Sequence, residues 1–150
     1  RGLNSRHYDS EGMSTHKRTL LDKGVLSEFL IDSYYARKLG VEPTGGSTSN
    51  VTFGPGDKSL DEMIASVDKG ILVTSFIGGN SNSTTGDYSW GLQGMMIEKG
   101  KIGRPVNEMN ISGNLIDLWG NLVAMGNDPY EYSSLQRPSM HFTDVNFSGI

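Results

Sequence analysis

The chain has 150 residues, 35% of them hydrophobic, with 20 glycines, no cysteine and a formal net charge of −4. That length fits one domain able to bury a core, and the low apolar fraction with so much glycine suits a turn-rich strand protein better than a helical bundle. Disulfides, thiolate metal sites and a cysteine nucleophile are excluded; Lys17-Arg18 and Arg37-Lys38 are only pairs, no footprint for nucleic acid; and no apolar run approaches the ~20 residues of a membrane-spanning helix.

Arg1 to Ser14 is polar and reads as an extended lead-in. It has neither an initiator Met nor a signal peptide, as expected of a cut inside a longer, cytoplasmic chain. Thr15 to Asp22 and Val25 to Ile31 carry strand-like residues about Lys23-Gly24, which predicts a hairpin. Asp32 to Leu39 reads as a short helix: Asp32 can cap it, Arg37 and Lys38 sit in its last turn, and Gly40 can stop it. Pro43 to Ser49 is a loop and Val51 to Phe53 a short strand.

Ser59-Leu60-Asp61-Glu62 has the form of a capping box. The helix it opens is expected to run to about Lys69, with Leu60, Met63, Ile64 and Val67 on one face and Gly70 at its end. Ile71 to Ile77 is a continuous, partly β-branched apolar run, which predicts a buried strand. A Gly/Asn/Ser/Thr loop follows, then a second hairpin of Tyr88 to Glu98 and Lys101 to Val106 about Lys99-Gly100. Met109 to Ser112 reads as a strand. Asn114 to about Met125 reads as a helix with Leu115, Leu118, Trp119, Leu122 and Val123 inward. Gly126-Asn127-Asp128-Pro129 ends it, and strands over Ser139 to Phe142 and Val145 to Phe147 close the chain. The sum is α+β, mostly antiparallel, with two or three helices.

The chemistry on offer is sparse. His7, His16 and His141 are scattered and lie in no metal-binding spacing, so surface or half-buried strand histidines are the expectation. A Ser–His–Asp arrangement would have to combine Asp87 with Ser83 or Ser89 and a distant histidine, without a nucleophile elbow. The simpler reading has Asp87 capping loop amides and Gly86 at positive φ. Gly78-Gly79-Asn80 lacks the Lys of a phosphate loop and runs from strand to strand. Trp90, Trp119 and the tyrosines read as core or interface, since no basic groove accompanies them. Four matches to the glycosylation sequon, at Asn50, Asn82, Asn110 and Asn146, read as chance products of turn composition.

Several segments follow one another in a telling order: Tyr8-Asp9-Ser10-Glu11-Gly12, Ser33-Tyr34-Tyr35-Ala36-Arg37-Lys38-Leu39-Gly40, Pro43-Thr44-Gly45, Gly86-Asp87-Tyr88-Ser89, Ile97-Glu98-Lys99-Gly100, Arg104-Pro105-Val106, Ser112-Gly113-Asn114-Leu115 and Val123-Ala124-Met125-Gly126-Asn127-Asp128. In that succession the chain resembles the C-terminal region of the TldD/PmbA family, the modulator of DNA gyrase proteins. The family is linked to intracellular zinc-dependent proteolysis. Its TldD branch carries H-E-x-x-x-H on a helix upstream of the region matched here, and a Cys near the C-terminus. Its PmbA branch, also called TldE, lacks that site and partners the catalytic branch. Gly86-Asp87-Tyr88-Ser89 and the cysteine-free segment Ser133 to Ser139 look like the PmbA branch.

The resemblance implies a C-terminal domain, residues 1–150, of a longer PmbA-like subunit, with sheets curved into a barrel-like arrangement. It implies no cofactor in this chain, zinc only in a TldD-like paralogue as partner, and unfolded peptide as substrate; whether the chain takes part in catalysis stays open. A second copy of the chain is a further candidate partner, and neither nucleic acid nor membrane is one. If any part of the domain touches substrate or partner, the expectation is the edge from Asn80 to Ser89, with Asn80, Asn82, Gly86, Asp87, Tyr88 and Ser89 as contacts. Two other readings stand beside this one: a peptide-binding or scaffold module using open strand edges, and a direct regulator of gyrase.

Overall fold

The computed structural model describes residues 2–149; Arg1, the first residue of the expected lead-in, lies outside the described residues, as does Ile150. Along the chain run β1 (Leu21–Asp22), β2 (Val25–Leu26), α1 (Ser33–Leu39), β3 (Val51–Thr52), α2 (Leu60–Ala65), β4 (Lys69–Ser81) and β5 (Asp87–Glu98). There follow β6 (Lys101–Asn114), α3 (Leu115–Gly120), β7 (Leu122–Met125), β8 (Leu135–Gln136), β9 (Met140–Phe142) and β10 (Phe147–Ser148). The fold is α+β, and among the described residues the strand pairings are antiparallel except β3 with β8. Contacts divide the chain into two units, Arg1–Thr52 with Tyr130–Gln136, and Phe53–Pro129 with Arg137–Ile150.

The first unit is held by polar side chains more than by apolar burial. Asp9 is buried, and its Oδ1 accepts the amides of Glu11 (2.9 Å) and Met13 (3.0 Å). Glu11 in turn accepts the Ser33 amide at 2.9 Å and hydroxyl at 2.5 Å, fastening the first residue of α1. Asp32 caps α1 through the Tyr35 amide at 2.7 Å, and Gly40 ends it at φ 69. Lys23 (φ 49) and Gly24 (φ 83) turn β1 into β2. The hairpin strands are only two residues each, far shorter than Thr15 to Asp22 and Val25 to Ile31. The reason lies in side-chain competition for the ladder groups: Thr44 Oγ1 accepts the Ile31 amide at 3.0 Å and donates to the Phe29 carbonyl at 2.5 Å.

In the second unit a four-stranded sheet has the order β10-β6-β5-β4. Lys99 (φ 50) and Gly100 (φ 72) make the tight turn between β5 and β6. Leu92 on β5 is completely buried, and Tyr88, Val106 and Ile111 join it in the core. Ile71, Val73, Trp90, Met96, Met109, Leu115, Leu118 and Val145 pack around them. Both neighbours of β5 carry extra residues: the register slips between Val73/Ser75 and Ile77/Gly79 against β4, and between Leu92/Gly94 and Met95/Ile97 against β6. Longer outer strands around a shorter central one bend and coil the sheet. It stays open all the same: no sheet among the described residues closes into a barrel, and β4 and β10 are its edges.

Three expectations about element bounds need correction. The helix opened by Ser59 has its capping box, with the Ser59 hydroxyl accepting the Glu62 amide and Glu62 accepting the Ser59 amide at 2.8 Å. It ends at Ala65, however, not near Lys69. The turn amides of Lys99 and Gly100 take the carbonyls of Asp68 (2.6 Å) and Val67 (2.8 Å), so the chain there already serves the sheet. Gly70 consequently lies inside β4. The strand expected as buried over Ile71 to Ile77 is longer, Lys69 to Ser81, and is exposed from Thr74 onward because it is an edge. Finally, the helix expected to reach Met125 stops at Gly120. The amide of Asn121 closes onto the carbonyls of Asp117 and Leu118, and Leu122 to Met125 pairs instead with β9. Asp128 secures that ladder by accepting the Ser139 amide (2.9 Å) and hydroxyl (2.7 Å).

Candidate functional site

The polar edge expected between Asn80 and Ser89 is mostly strand. Asn80 and Ser81 pair with Ser89 and Tyr88, leaving the five residues from Asn82 to Gly86 as the loop. The Asn82 amide donates to the Asp87 carbonyl and the Gly86 amide to the Asn82 carbonyl, both at 2.8 Å. Inside this closure Asn82 Oδ1 accepts the amides of Thr84 (2.9 Å) and Thr85 (3.3 Å). The amide-capping role that the sequence assigned to Asp87 therefore belongs to Asn82. Gly86 has φ 84, a conformation that costs other residues strain, as expected.

Asp87 makes different bonds. Its carboxylate accepts the Thr85 hydroxyl at 2.7 Å and the Asn114 side-chain amide at 3.1 Å. Asn114 also donates to the Thr85 carbonyl at 2.9 Å and accepts the Ile116 amide at 3.0 Å, while the Leu115 amide reaches the Gly86 carbonyl at 2.8 Å. One asparagine thus ties the loop to the start of α3. Its part in the loop could not be read from sequence spacing. Asp87 and Asn114 face each other only because β6 accommodates one extra residue between Ile102 and Pro105 and another between Val106 and Met109. A regular hairpin from Lys99-Gly100 would have paired Asp87 elsewhere.

The hydroxyl of Thr85 and then the amide of Asn114 hold the Asp87 carboxyl below the usual carboxylate range. A depressed carboxylate contributes stability that is complete above its unfolded value and is lost as pH falls through its folded one. Asn114→Ala removes a helix cap and both loop bonds, and is expected to cost about 1–2 kcal/mol at neutral pH. It should also flatten the acid limb of the melting profile, because part of what lowers Asp87 is gone. Thermal melts at neutral and acid pH check this. Asn114→Ala melting like the parent chain at both would refute the tie.

The remaining site residues divide by exposure. Asn80 and Ser89 are exposed and, among the described residues, their side chains make no hydrogen bond. Tyr88 is buried in the core and stacks on Trp90 with ring centroids 4.5 Å apart; burial raises its phenol. Among the described residues no Ser–His–Asp arrangement forms, since the partners of the Asp87 carboxylate are Thr85 and Asn114. His7 and His16 belong to the first unit and His141 to β9 of the second. Among the described residues no three His, Cys, Asp or Glu side chains converge as metal ligands would. None of their helices is long and apolar enough to cross a membrane.

Residues 1–149 match the model of the PmbA/TldA metallopeptidase C-terminal domain. The chain belongs to this family. The metalloprotease PmbA of Escherichia coli O157:H7 is 38% identical over 99% of the chain and 34% of its own length. A zinc metalloprotease TldD homologue of Saccharolobus solfataricus is 30% identical over 81% of the chain and 30% of its length. A crystal structure of a candidate modulator of DNA gyrase from Bacteroides thetaiotaomicron superposes with a TM-score of 0.94 at 52% identity, covering 99% of the chain and 34% of that protein. The chain thus spans about a third of the length of these PmbA/TldD relatives.

Proposed function

We propose that the chain is the C-terminal domain of a PmbA/TldE-like subunit of a cytoplasmic TldD/TldE-type peptidase assembly. In that assembly it is non-catalytic. The zinc and the hydrolytic step belong to a TldD-like partner subunit carrying H-E-x-x-x-H, and the substrate is an unfolded peptide. The observation that carries this reading is the 38% identity with PmbA over 99% of the chain, joined to a sequence without cysteine where the TldD branch carries one near its C-terminus. A zinc site that loses a ligand residue loses its closed geometry.

Exposed surface supports the place in an assembly. The chain exposes 10862 Å², whereas two separate compact domains of the two units' sizes would together expose about 9,000 Å². Apolar residues stand among the exposed ones, Phe76 at 55% and Ile116 at 78% among them. Large exposed apolar surface marks places that a partner or another part of a protein covers. Co-expression of the full-length protein with its TldD-like paralogue, followed by light scattering on the purified material, tests the association. A complex containing both subunits is expected. Separate elution of the two at micromolar concentration would contradict it.

One observation favours a second reading, a strand-edge peptide binder. From Gly70 to Ser81 β4 carries no charged residue, and among the described residues it has a single neighbour, β5. Long edges without charge or proline invite an added strand. The two readings differ in a simple respect: a peptidase subunit comes with a paralogue bearing H-E-x-x-x-H in the same genome, and a standalone binder need not.

A further inference from the structure

Beside the Asn82–Gly86 loop a small cavity of about 70 Å³ opens between β5, β6, α3 and the turn that leads into β10. Its polar lining comes from three directions. Tyr88 stands on the sheet, Asp117 and Asn121 on and just after α3, and Asp144 and Asn146 on the turn. Asp144 is held at φ 52, and the turn is fixed by the Thr143 amide on the Asn121 carbonyl (3.0 Å) and the Ser112 amide on the Asn146 carbonyl (3.3 Å). The side chains of these five residues make no hydrogen bond to another described residue.

Tyr88 distinguishes this cavity from a solvated acidic rim. Only 6% of the residue is exposed. Its ring crosses Gly113, another residue of the lining, where an added Cβ would stand 3.3 Å from the hydroxyl. The hydroxyl is not sealed in the interior, since no buried polar atom among the described residues lacks a partner. A phenol on a residue 6% exposed, lining the cavity and bonded to no other described residue, leaves its hydroxyl free to bond a polar guest there.

We infer that this cavity binds a primary ammonium group, from either a peptide amino terminus or a lysine side chain. The charge argument is direct: two aspartates line the cavity and no Lys, Arg or His does. Acceptors on three sides match the three donors of an ammonium group, and bonds from an ionised donor to carboxylates are the strong kind. Leu118 and Val145, which pack on the core, offer apolar wall to the methylene stem. A bare calcium ion fits less well, because its cage closes to about 2.3–2.6 Å on 6–8 oxygens, while the void here has room for a group of about two heavy atoms. The inference does not rest on the chain's place in a peptidase assembly.

Saturation-transfer NMR observed on methylammonium, in the full-length protein, tests it. Tetramethylammonium has the same charge without N–H donors and serves as the control. A saturable methylammonium signal is expected, with little from tetramethylammonium. Asp117→Asn with Asp144→Asn should weaken binding about tenfold or more, since two charge-assisted bonds are lost. Both aspartates are exposed, so the melting temperature should hold. Tyr88→Phe, which keeps the ring, should weaken binding several-fold. Triglycine against N-acetyl-triglycine, and Nα-acetyl-lysinamide, then compete for the site, and whichever displaces methylammonium more strongly names the source. No saturable signal, equal signals from the two ions, indifference to the double aspartate variant, or calcium chloride occupying the same aspartates at micromolar concentration would each overturn the inference.

Discussion

Leu92→Ala is expected to lower the unfolding free energy by about 3 kcal/mol. Leu92 is the one large side chain among the described residues that is wholly removed from solvent. It sits mid-strand on β5, with Tyr88, Val106 and Ile111 as buried neighbours and Ile71, Val73 and Met109 packed around them. Truncation loses both the transfer free energy of the removed carbons and the contacts of the atoms that lined them. The sheet cannot collapse freely into the gap, because β5 is pinned on both sides, to β4 and to β6. Urea unfolding should show a lower midpoint with an unchanged slope. A loss below about 1 kcal/mol would mean that this cluster is not the core of the second unit.

Gly94→Ala should be comparably damaging, for a different reason. Gly94 is buried on the same strand, and an added Cβ would lie 2.2 Å from the Leu72 carbonyl oxygen and 3.2 Å from the Val73 Cα. Both are backbone atoms, so no side chain can swing aside. Gly94 also sits where the register slips on both flanks, next to the Val73/Ser75 and Leu92/Gly94 irregularities. A glycine at such a bulge marks close backbone approach. The methyl must push β4 away from β5, at a cost of about 2–3 kcal/mol in broken ladder and strain. Denaturation of the variant beside Gln93→Ala, an exposed neighbour, isolates the effect. Equal stability of the two would contradict the close approach.

What sequence could and could not reveal follows from where the deciding partners lie. Local chemistry was legible. Asp32 and Gly40 at the ends of α1, the Ser59–Glu62 box, and the Lys23-Gly24 and Lys99-Gly100 turns each act through residues a few positions apart. The α+β class followed from the same signals. The ends of elements set by distant partners were not legible. α2 stops because the β5–β6 turn takes its next carbonyls, and the helical pattern from Leu118 to Val123 is overridden by the ladder of β7 with β9. Ile71 to Ile77 looks buried by composition, but burial depends on which side of a sheet is left open, and β4 is an edge.

The candidate site shows the same division. The loop's composition pointed to Asn82, Gly86 and Asp87, and positive φ at Gly86 was foreseeable. The reach of Asn114 across the hairpin was not, because it depends on two bulges that no spacing rule encodes. Likewise the Tyr88 cavity is assembled from β5, β6, α3 and the turn before β10, segments far apart in the chain. The segment Tyr8 to Gly12, which carries part of the family resemblance, turns out to be structural: Asp9 folds its own turn and Glu11 anchors α1.

The central claim, a non-catalytic subunit in a peptidase assembly, is met most directly by one assay. Hydrolysis of casein and of a fluorogenic peptide is measured for the full-length protein alone, for its TldD-like paralogue alone, and for the two together, each with zinc content determined. The account predicts no turnover and no retained zinc in the protein alone, and the highest turnover in the mixture, with zinc tracking the paralogue. Zinc-dependent turnover by the protein alone, surviving purification to homogeneity, or a paralogue whose activity is indifferent to the protein, would contradict it.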